Sequence, residues 1–240
     1  MSISVAVVGA TGRMGKLALE LIEGAQDLSL FAALDSKSDI AQTLGADVVI
    51  DLTRFDVSQA VVAFAVENNQ RLVVGTSGWS ATHLQQLEKK LHESSAAVVV
   101  VPNFSVGSML ATKFASEAAV FFDSIEIVEA HHAGKVDSPS GTAVRTAELI
   151  AQQRAGKPIL LPGVGQRARG EIVAGVPIHS LRINGVSAKQ EVLLGAESEL
   201  LTLSHETSSV RAYSSGILAS IRYAAKATGL TVGLQSVLGL

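Results

Sequence analysis

The 240-residue sequence predicts an α/β chain: a doubly wound parallel sheet, joined to a second α+β domain built on an open mixed sheet. Three observations predict it. Short β-branched apolar runs alternate with helix-period segments through the first hundred residues, the pattern of parallel strands linked by crossover helices. Val, Ala, Leu and Ile carry an apolar content of 48%, with only 4% aromatic residues, which suits strands buried on both faces. After Gly175, strand-like runs follow one another through short turns with no helix between them, as in a mixed or antiparallel sheet.

Each element has a local reason. Ile3 to Val8 is a β-branched run that stops at Gly9, and Met14, Leu17, Ala18, Leu21 and Ile22 then recur at helical spacing. Ser29 to Leu34 reads as a strand ending at Asp35, and Ala46 to Leu52 as the next. Val57 to Asn68 is helical, Arg71 to Val74 a strand, Ala81 to Glu93 a helix and Ala96 to Val101 a strand. The rhythm then changes. A helix from Met109 to Phe121 leads to a strand from Ser124 to Glu129, a histidine-bearing segment, and a helix from about Thr142 to Gln153. Residues 155–170 are rich in Gly and Pro and read as an irregular loop. Strands are expected at Ile178 to Ile183, Ala188 to Leu194 and Leu200 to His205, and a helix at Ser215 to Ala227. The apolar tail from Gly229 to Leu240 is expected to return to the first domain. The domain boundaries that follow are 1–105 with 213–240, and 106–212.

Composition excludes several function classes. A net charge of −3 provides no basic field, so nucleic acid is not an expected partner. The absence of cysteine rules out disulfides, thiolate metal sites and thiol nucleophiles. No apolar run approaches the roughly 20 residues needed to cross a bilayer, and the first residues run directly into a strand without a signal-peptide pattern. A cytoplasmic protein with no membrane partner is the expectation.

The strand ends carry the first chemical signal. Gly9-Ala10-Thr11-Gly12-Arg13-Met14-Gly15 follows a strand and opens a helix, a Gly-x-x-Gly-x-x-Gly variant of the dinucleotide loop. The first glycine permits a tight turn, the second lets the backbone approach a pyrophosphate, and the helix start offers N–H groups to it. Asp35 stands twenty residues after Gly15, at the end of the second strand, where a carboxylate accepts hydrogen bonds from the ribose hydroxyls of NAD. This makes the first domain Rossmann-like. Asp35 repels a 2′-phosphate, whereas Lys37 and Arg13 are placed to pair with one, so both NADH and NADPH remain open as cofactors.

The second signal is Glu129-Ala130-His131-His132-Ala133-Gly134-Lys135-Val136-Asp137-Ser138-Pro139-Ser140-Gly141-Thr142-Ala143. Histidine titrates near neutrality and exchanges protons readily. Lys135 is positioned on a turn to fix a carboxylate or donate a proton. Ser140-Gly141-Thr142 precedes an apolar helical run, so its N–H groups and hydroxyls form an anion site at a helix start. A metal site is not expected, because zinc needs three or four ligands while adjacent histidines point apart.

This segment resembles the signature of the dihydrodipicolinate reductase (4-hydroxy-tetrahydrodipicolinate reductase) family of the diaminopimelate route to lysine. The similarity extends along nearly the whole chain. It includes Gly9 to Gly15, Asp51-Leu52-Thr53, Gly75-Thr76-Ser77-Gly78 and Pro102-Asn103-Phe104-Ser105-Val106-Gly107. Gly175-Val176-Pro177-Ile178-His179-Ser180-Leu181-Arg182 and Gly229-Leu230-Thr231-Val232-Gly233-Leu234 resemble actinobacterial members in particular.

The resemblance implies a reductase that transfers hydride from NADH or NADPH to C4 of a hydroxylated dicarboxylate ring with loss of water. By match, His131 is the principal proton donor and acceptor, and Lys135 a second proton donor. His132 contacts substrate, and Gly141 with Thr142 holds one of its carboxylates. Gly9, Ala10, Thr11, Gly12, Arg13 and Met14 cradle the pyrophosphate and Asp35 takes the ribose. Gly75, Thr76 and Ser77, with Val101, Pro102, Asn103 and Phe104, line the nicotinamide side. A homotetramer is implied, as is a small dicarboxylate partner. The sequence departs from the family pattern at Ser77, Phe55, Ser138, Lys189 and Val210, the last with Arg211 displaced by one. A non-catalytic NAD(H)-binding redox sensor is the alternative reading; it calls for a basic or partner-binding element that the chain lacks. A semialdehyde dehydrogenase needs a nucleophilic cysteine.

Overall fold

The strand that ends at Gly9 lies inside a six-stranded sheet whose neighbours all run parallel to it. The computed structural model describes residues 2–163 and 165–240. It divides into two compact units, residues 1–106 with 210–240, and residues 107–209.

In the first unit, strands β1 (Ile3–Val8), β2 (Leu28–Leu34), β3 (Val48–Asp51), β4 (Arg71–Val74) and β5 (Ala97–Val100) alternate with helices α1 (Arg13–Gly24), α2 (Phe55–Glu67) and α3 (Ala81–Leu91). Beyond these, helix α6 (Ser214–Ala224) precedes strand β11 (Gly229–Val232) and the short helix α7 (Leu234–Leu238). The spatial order is β11-β5-β4-β3-β1-β2. Successive residues of a strand face opposite sides, and both sides are covered. Ala6, Val8, Val49, Leu72, Val74, Val98 and Val100 pack with Val61, Val62 and Ala65 of α2 and Leu87 and Leu91 of α3. Val5, Val7, Ile50, Val73 and Val99 are equally buried in the opposite phase, where α1 and α6 contact the sheet. Because β1 has β2 on one side and β3 on the other, the chain reverses its direction of winding there. Ligands of open α/β sheets bind at such switch points, beyond the carboxyl ends of the strands.

The second unit is built on a five-stranded sheet of order β10-β9-β6-β8-β7. Helix α4 (Val106–Ala118) leads to β6 (Ser124–His131) and α5 (Gly141–Arg154). Strands β7 (Glu171–Val173), β8 (Val176–Arg182), β9 (Ala188–Ala196) and β10 (Glu199–Thr207) complete it. The β6–β8 pair is parallel and the other three pairs are antiparallel. Helices cover one face only: Ile125, Ile127, Val176, Ile178, Val192 and Leu194 pack against Ala115 and Ala119 near α4 and Ala143, Ala147 and Ile150 of α5.

Several boundaries depart from the sequence reading: β6 runs on to His131 instead of ending at Glu129, and α4 spans Val106–Ala118 instead of Met109 to Phe121. Strand β3 is shorter than Ala46 to Leu52, beginning at Val48. Strand β7 was concealed by its three-residue length, and is joined to β8 by a two-residue turn in which Ala174 and Gly175 both have positive φ (49° and 83°). That turn geometry matches the twist of a hairpin, and Ala174 adopts it without being glycine. The apolar tail contains β11, which pairs with β5 and adds a sixth strand to the first sheet. Among the described residues, no helix is long and apolar enough to cross a membrane.

Candidate functional site

At the carboxyl end of β1, the backbone itself makes the surface. The Gly9 and Ala10 N–H groups donate to the Leu34 carbonyl at 3.0 and 2.9 Å, tying the loop to β2. Gly9 has φ of 84°, and a Cβ there would lie 2.9 Å from the Leu52 carbonyl oxygen. A Cβ on Gly15 would lie 2.1 Å from the Gly9 carbonyl oxygen, so α1 packs directly on the loop backbone. Gly12 is the N-cap of α1, with no side-chain cap, and the first turn carries no acidic residue. The first N–H groups of a helix have no intrahelical partner and carry partial positive charge. An exposed, uncapped start of this kind fits an anionic group such as a pyrophosphate. Thr11, Gly12 and Arg13 are exposed, Met14 is half-buried, and Ala10 is buried.

Asp35 lies exposed just beyond β2. Its Oδ1 accepts the Lys37 N–H and the Ser38 hydroxyl, both at 2.9 Å. These bonds, the Lys37 N–H first, hold the carboxyl below its ordinary range. The group is an anion, as hydrogen bonding to ribose hydroxyls requires.

The remaining strand ends form a packed floor. A Cβ on Gly75 would sit 2.6 Å from the Phe104 ring and 2.7 Å from the Leu52 side chain, which close over it. The buried Thr76 hydroxyl donates to the Thr53 carbonyl at 3.1 Å. Thr53 in turn donates its N–H (3.0 Å) and hydroxyl (2.5 Å) to Asp51 Oδ1. Asp51 is fully buried, and burial pushes its carboxyl up against the pull of those bonds. Val101 and Phe104 are buried, Ser77 and Pro102 are exposed, and Asn103 Oδ1 accepts the Ser105 N–H at 2.9 Å. Of these positions, then, Val101, Thr76 and Phe104 contribute shape rather than open polar groups.

In the second unit the design is different. Ile125 and Ile127 of β6 point to the helix-covered face, and the two-residue period puts Glu129 and His131 on that same face. Glu129 is therefore a carboxylate at a core position, with none of its side chain exposed. Its partners account for the burial. Arg182 of β8 approaches it with both terminal nitrogens, at 2.9 and 3.0 Å. His131 Nδ1 lies 2.6 Å from Oε2, and the Ser140 N–H donates to Oε1 at 3.1 Å. Burial alone would push the Glu129 carboxyl up, but Arg182, the Ser180 hydroxyl and His131 favour its charged form and hold it below the ordinary carboxylate range.

The turn after β6 carries the other residues. His132 is exposed, just beyond the end of β6, and its carbonyl accepts the Lys135 N–H at 3.0 Å. The Lys135 ammonium sits on both oxygens of Asp137, at 2.6 and 2.7 Å, and Arg182 also donates to the Asp137 carbonyl. Gly141 and Thr142 form the first turn of α5, and Gly141 is exposed, with open space where a Cβ would stand. The expectation for Ser140 needs correction. Its hydroxyl accepts the Ala143 N–H at 3.2 Å and its N–H is committed to Glu129, so neither serves an external anion. Only Gly141 and Thr142 retain that capacity. Among the described residues, no three His, Asp or Glu side chains gather as a metal would need.

Sequence reasoning assigned no role to Glu129, Arg182 or Asp137. The signal for Glu129 was present: a charge occupying the apolar phase of the series Ile125, Ile127, Glu129. Arg182 had no such signal, because its pairing depends on the β6–β8 register. Two departures from the family pattern find local partners. Phe55 packs edge-on to Trp79 at 5.5 Å between ring centres, with Gly78 beneath it, and Lys189 pairs with Glu191 at 2.8 Å. Arg211 forms an ion pair with Glu20.

Comparison with known proteins places the chain in a family. Residues 3–104 match the family described as dihydrodipicolinate reductase, N-terminus, and residues 107–238 its C-terminus. A 4-hydroxy-tetrahydrodipicolinate reductase of Clavibacter michiganensis is 51% identical over 100% of this chain and 87% of its own. One from Streptomyces griseus is 44% identical, covering 98% of each chain. The structure of a dipicolinate-bound dihydrodipicolinate reductase from Paenisporosarcina superimposes with a TM-score of 0.86 at 33% identity, covering 98% of this chain and 99% of that one. The chain belongs to the dihydrodipicolinate reductase family and is an NAD(P)H-dependent 4-hydroxy-tetrahydrodipicolinate reductase of lysine biosynthesis.

Proposed function

We propose that the two units divide the reaction between backbone and side chains. In the first unit, the backbone of Gly9 to Met14 cradles the pyrophosphate, Asp35 bonds the adenosine ribose, and Gly75 to Ser77 with Val101 to Phe104 shape the nicotinamide pocket. When bound, the nicotinamide supplies hydride to C4 of the substrate ring.

In the second unit, His131 exchanges the principal proton through Nε2, the ring nitrogen not directed at Glu129. Lys135 leaves Asp137 to donate a second proton, which the departing hydroxyl needs in order to leave as water. His132 contacts substrate from the exposed side of the turn. The N–H groups of Gly141 and Thr142 receive a ring carboxylate at the start of α5, where the helix dipole favours an anion. A dicarboxylate ligand also occurs in the Paenisporosarcina relative, which is dipicolinate-bound. The observation that carries these roles is the 2.6 Å contact of His131 Nδ1 with a buried carboxylate that also anchors Ser140. General acid–base groups contribute roughly 10²- to 10⁴-fold. His131→Gln and Lys135→Ala are therefore expected to lower kcat by that order, with NADH affinity nearly intact. Loss of NADH binding instead would refute the roles.

Both cofactors are accepted in this reading. Asp35 favours NADH, and Lys37 and Arg13 supply the cations that a 2′-phosphate needs. The coupled assay run with NADH and NADPH on freshly made hydroxy-tetrahydrodipicolinate measures the ratio. The second unit also exposes Leu181 (51%) and Leu200 (64%) on a sheet with helices on one face only. In this reading a homotetramer covers the open face, and sedimentation equilibrium tests it.

A further inference from the structure

The buried Glu129 is a charge that neither proton transfer nor substrate contact, as described above, makes use of. We propose that it is the positioning residue of the active site, one carboxylate that sets both the tautomer of His131 and the start of helix α5. The proposal rests on the role given to His131 above.

Each oxygen has a separate task. Oε2 faces His131 Nδ1 at 2.6 Å, and an ionised carboxylate can only accept, so Nδ1 carries a proton. The neutral ring then has a bare Nε2, and the protonated ring has one exchangeable proton at Nε2. Proton exchange is thus confined to one nitrogen. Oε1 accepts the N–H of Ser140, the N-cap residue of α5, at 3.1 Å. The two groups that meet substrate, an imidazole and a helix start, are thereby held by one rigid, fully buried anchor. Arg182 keeps that anchor ionised and fixes its plane through two bonds, and the same guanidinium reaches the Asp137 carbonyl next to the Lys135 pair. The groups that face Glu129 are therefore His131 on its own strand, Arg182 and the Ser180 hydroxyl on β8, and Ser140 at α5. Across the antiparallel neighbour β9 its register partner is the uncharged Gln190. Burial with a bidentate arginine is costly unless the geometry is maintained, which gives the anchor its rigidity.

Glu129→Gln keeps the shape but can turn an amide N–H toward Nδ1, which selects the opposite tautomer. Expected is a fall in kcat of roughly 10²- to 10⁴-fold, a rise in KM for the dicarboxylate, and an unchanged Kd for NADH. In a His131→Gln background the same substitution is expected to produce little further fall in kcat, because residues acting as a unit are strongly non-additive. Additive losses in that cycle, or a kcat for Glu129→Gln near the native value, would overturn the proposal. A measurement on the unaltered protein applies even if the variant does not fold. The ¹⁵N shifts of the neutral His131 imidazole are expected to report a protonated Nδ1 and a bare Nε2, and the reverse tautomer refutes the proposal outright. If His131→Gln itself leaves kcat intact, the underlying role of His131 has failed, and a native ring tautomer with Nδ1 protonated would still identify Glu129 as its orienting partner.

Discussion

Two helix starts in this molecule are built in opposite ways. Helix α1 begins at Gly12 with no side-chain cap, and its surroundings are glycine backbone: Gly9 beneath it and Gly15 pressed on the Gly9 carbonyl. Helix α5 begins at Ser140, whose hydroxyl caps Ala143 and whose N–H is bound to a buried carboxylate. In the proposed reading the first start leaves its backbone donors to an incoming phosphate group and needs only the right turn geometry. The second start is tied to an imidazole through one buried carboxylate, so charge in the core holds the two together. Backbone suffices where a ligand brings the charge; a buried ion pair is needed where the protein must hold a side chain.

Breaking the charged anchor is expected to cost most. Arg182→Met strands the Glu129 carboxylate without its counterion, and removal of one partner of a buried pair costs about 3–5 kcal/mol. Thermal or urea unfolding measures it, and a loss near zero would mean the pair is a surface feature in energetic terms. The pair also imposes a pH dependence. The folded fold holds the Glu129 carboxyl below its ordinary value of 4.5, so its contribution is fully present above that value and is lost as pH falls through the lower folded value. Glu126 and Asp137 are depressed as well and act with the same sign. The diagnostic is therefore the difference between native and Arg182→Met on acidification, the native chain losing more.

At the backbone-built start, Gly15→Ala forces a methyl group within 2.1 Å of the Gly9 carbonyl. Overpacking of this kind costs about 1–3 kcal/mol, and NADH affinity is expected to weaken with it; native affinity would show that the loop has room to move. Ser140→Ala removes only the side-chain cap, worth about 1 kcal/mol. Its KM for the dicarboxylate is expected to rise while the Kd for NADH stays constant, and equal change in both would erase the distinction between the two starts. The smallest effect is expected at Asp35. Asp35→Asn removes the repulsion of a 2′-phosphate by an exposed, solvent-screened carboxylate, so the NADPH/NADH ratio of kcat/KM shifts modestly toward NADPH, as read in the coupled assay.

Local patterns in the chain determined a good deal by themselves. The β-branched runs of β1 to β5, the glycines at 9, 12 and 15, and Asp35 at the end of β2 are each read from neighbours in sequence, because strand periodicity and turn chemistry are local. The histidine segment was legible for the same reason. Tertiary structure decided the rest. Strand β7 is too short to have a period, and β11 is a strand only because the edge of β5 was open to it. The commitment of Ser140 to Glu129, eleven residues earlier, follows from where α5 docks. Most of all, Glu129 and Arg182 stand fifty-three residues apart, and nothing local links them. Only parallel pairing of β6 with β8 brings their charges together, in a core where neither could remain alone.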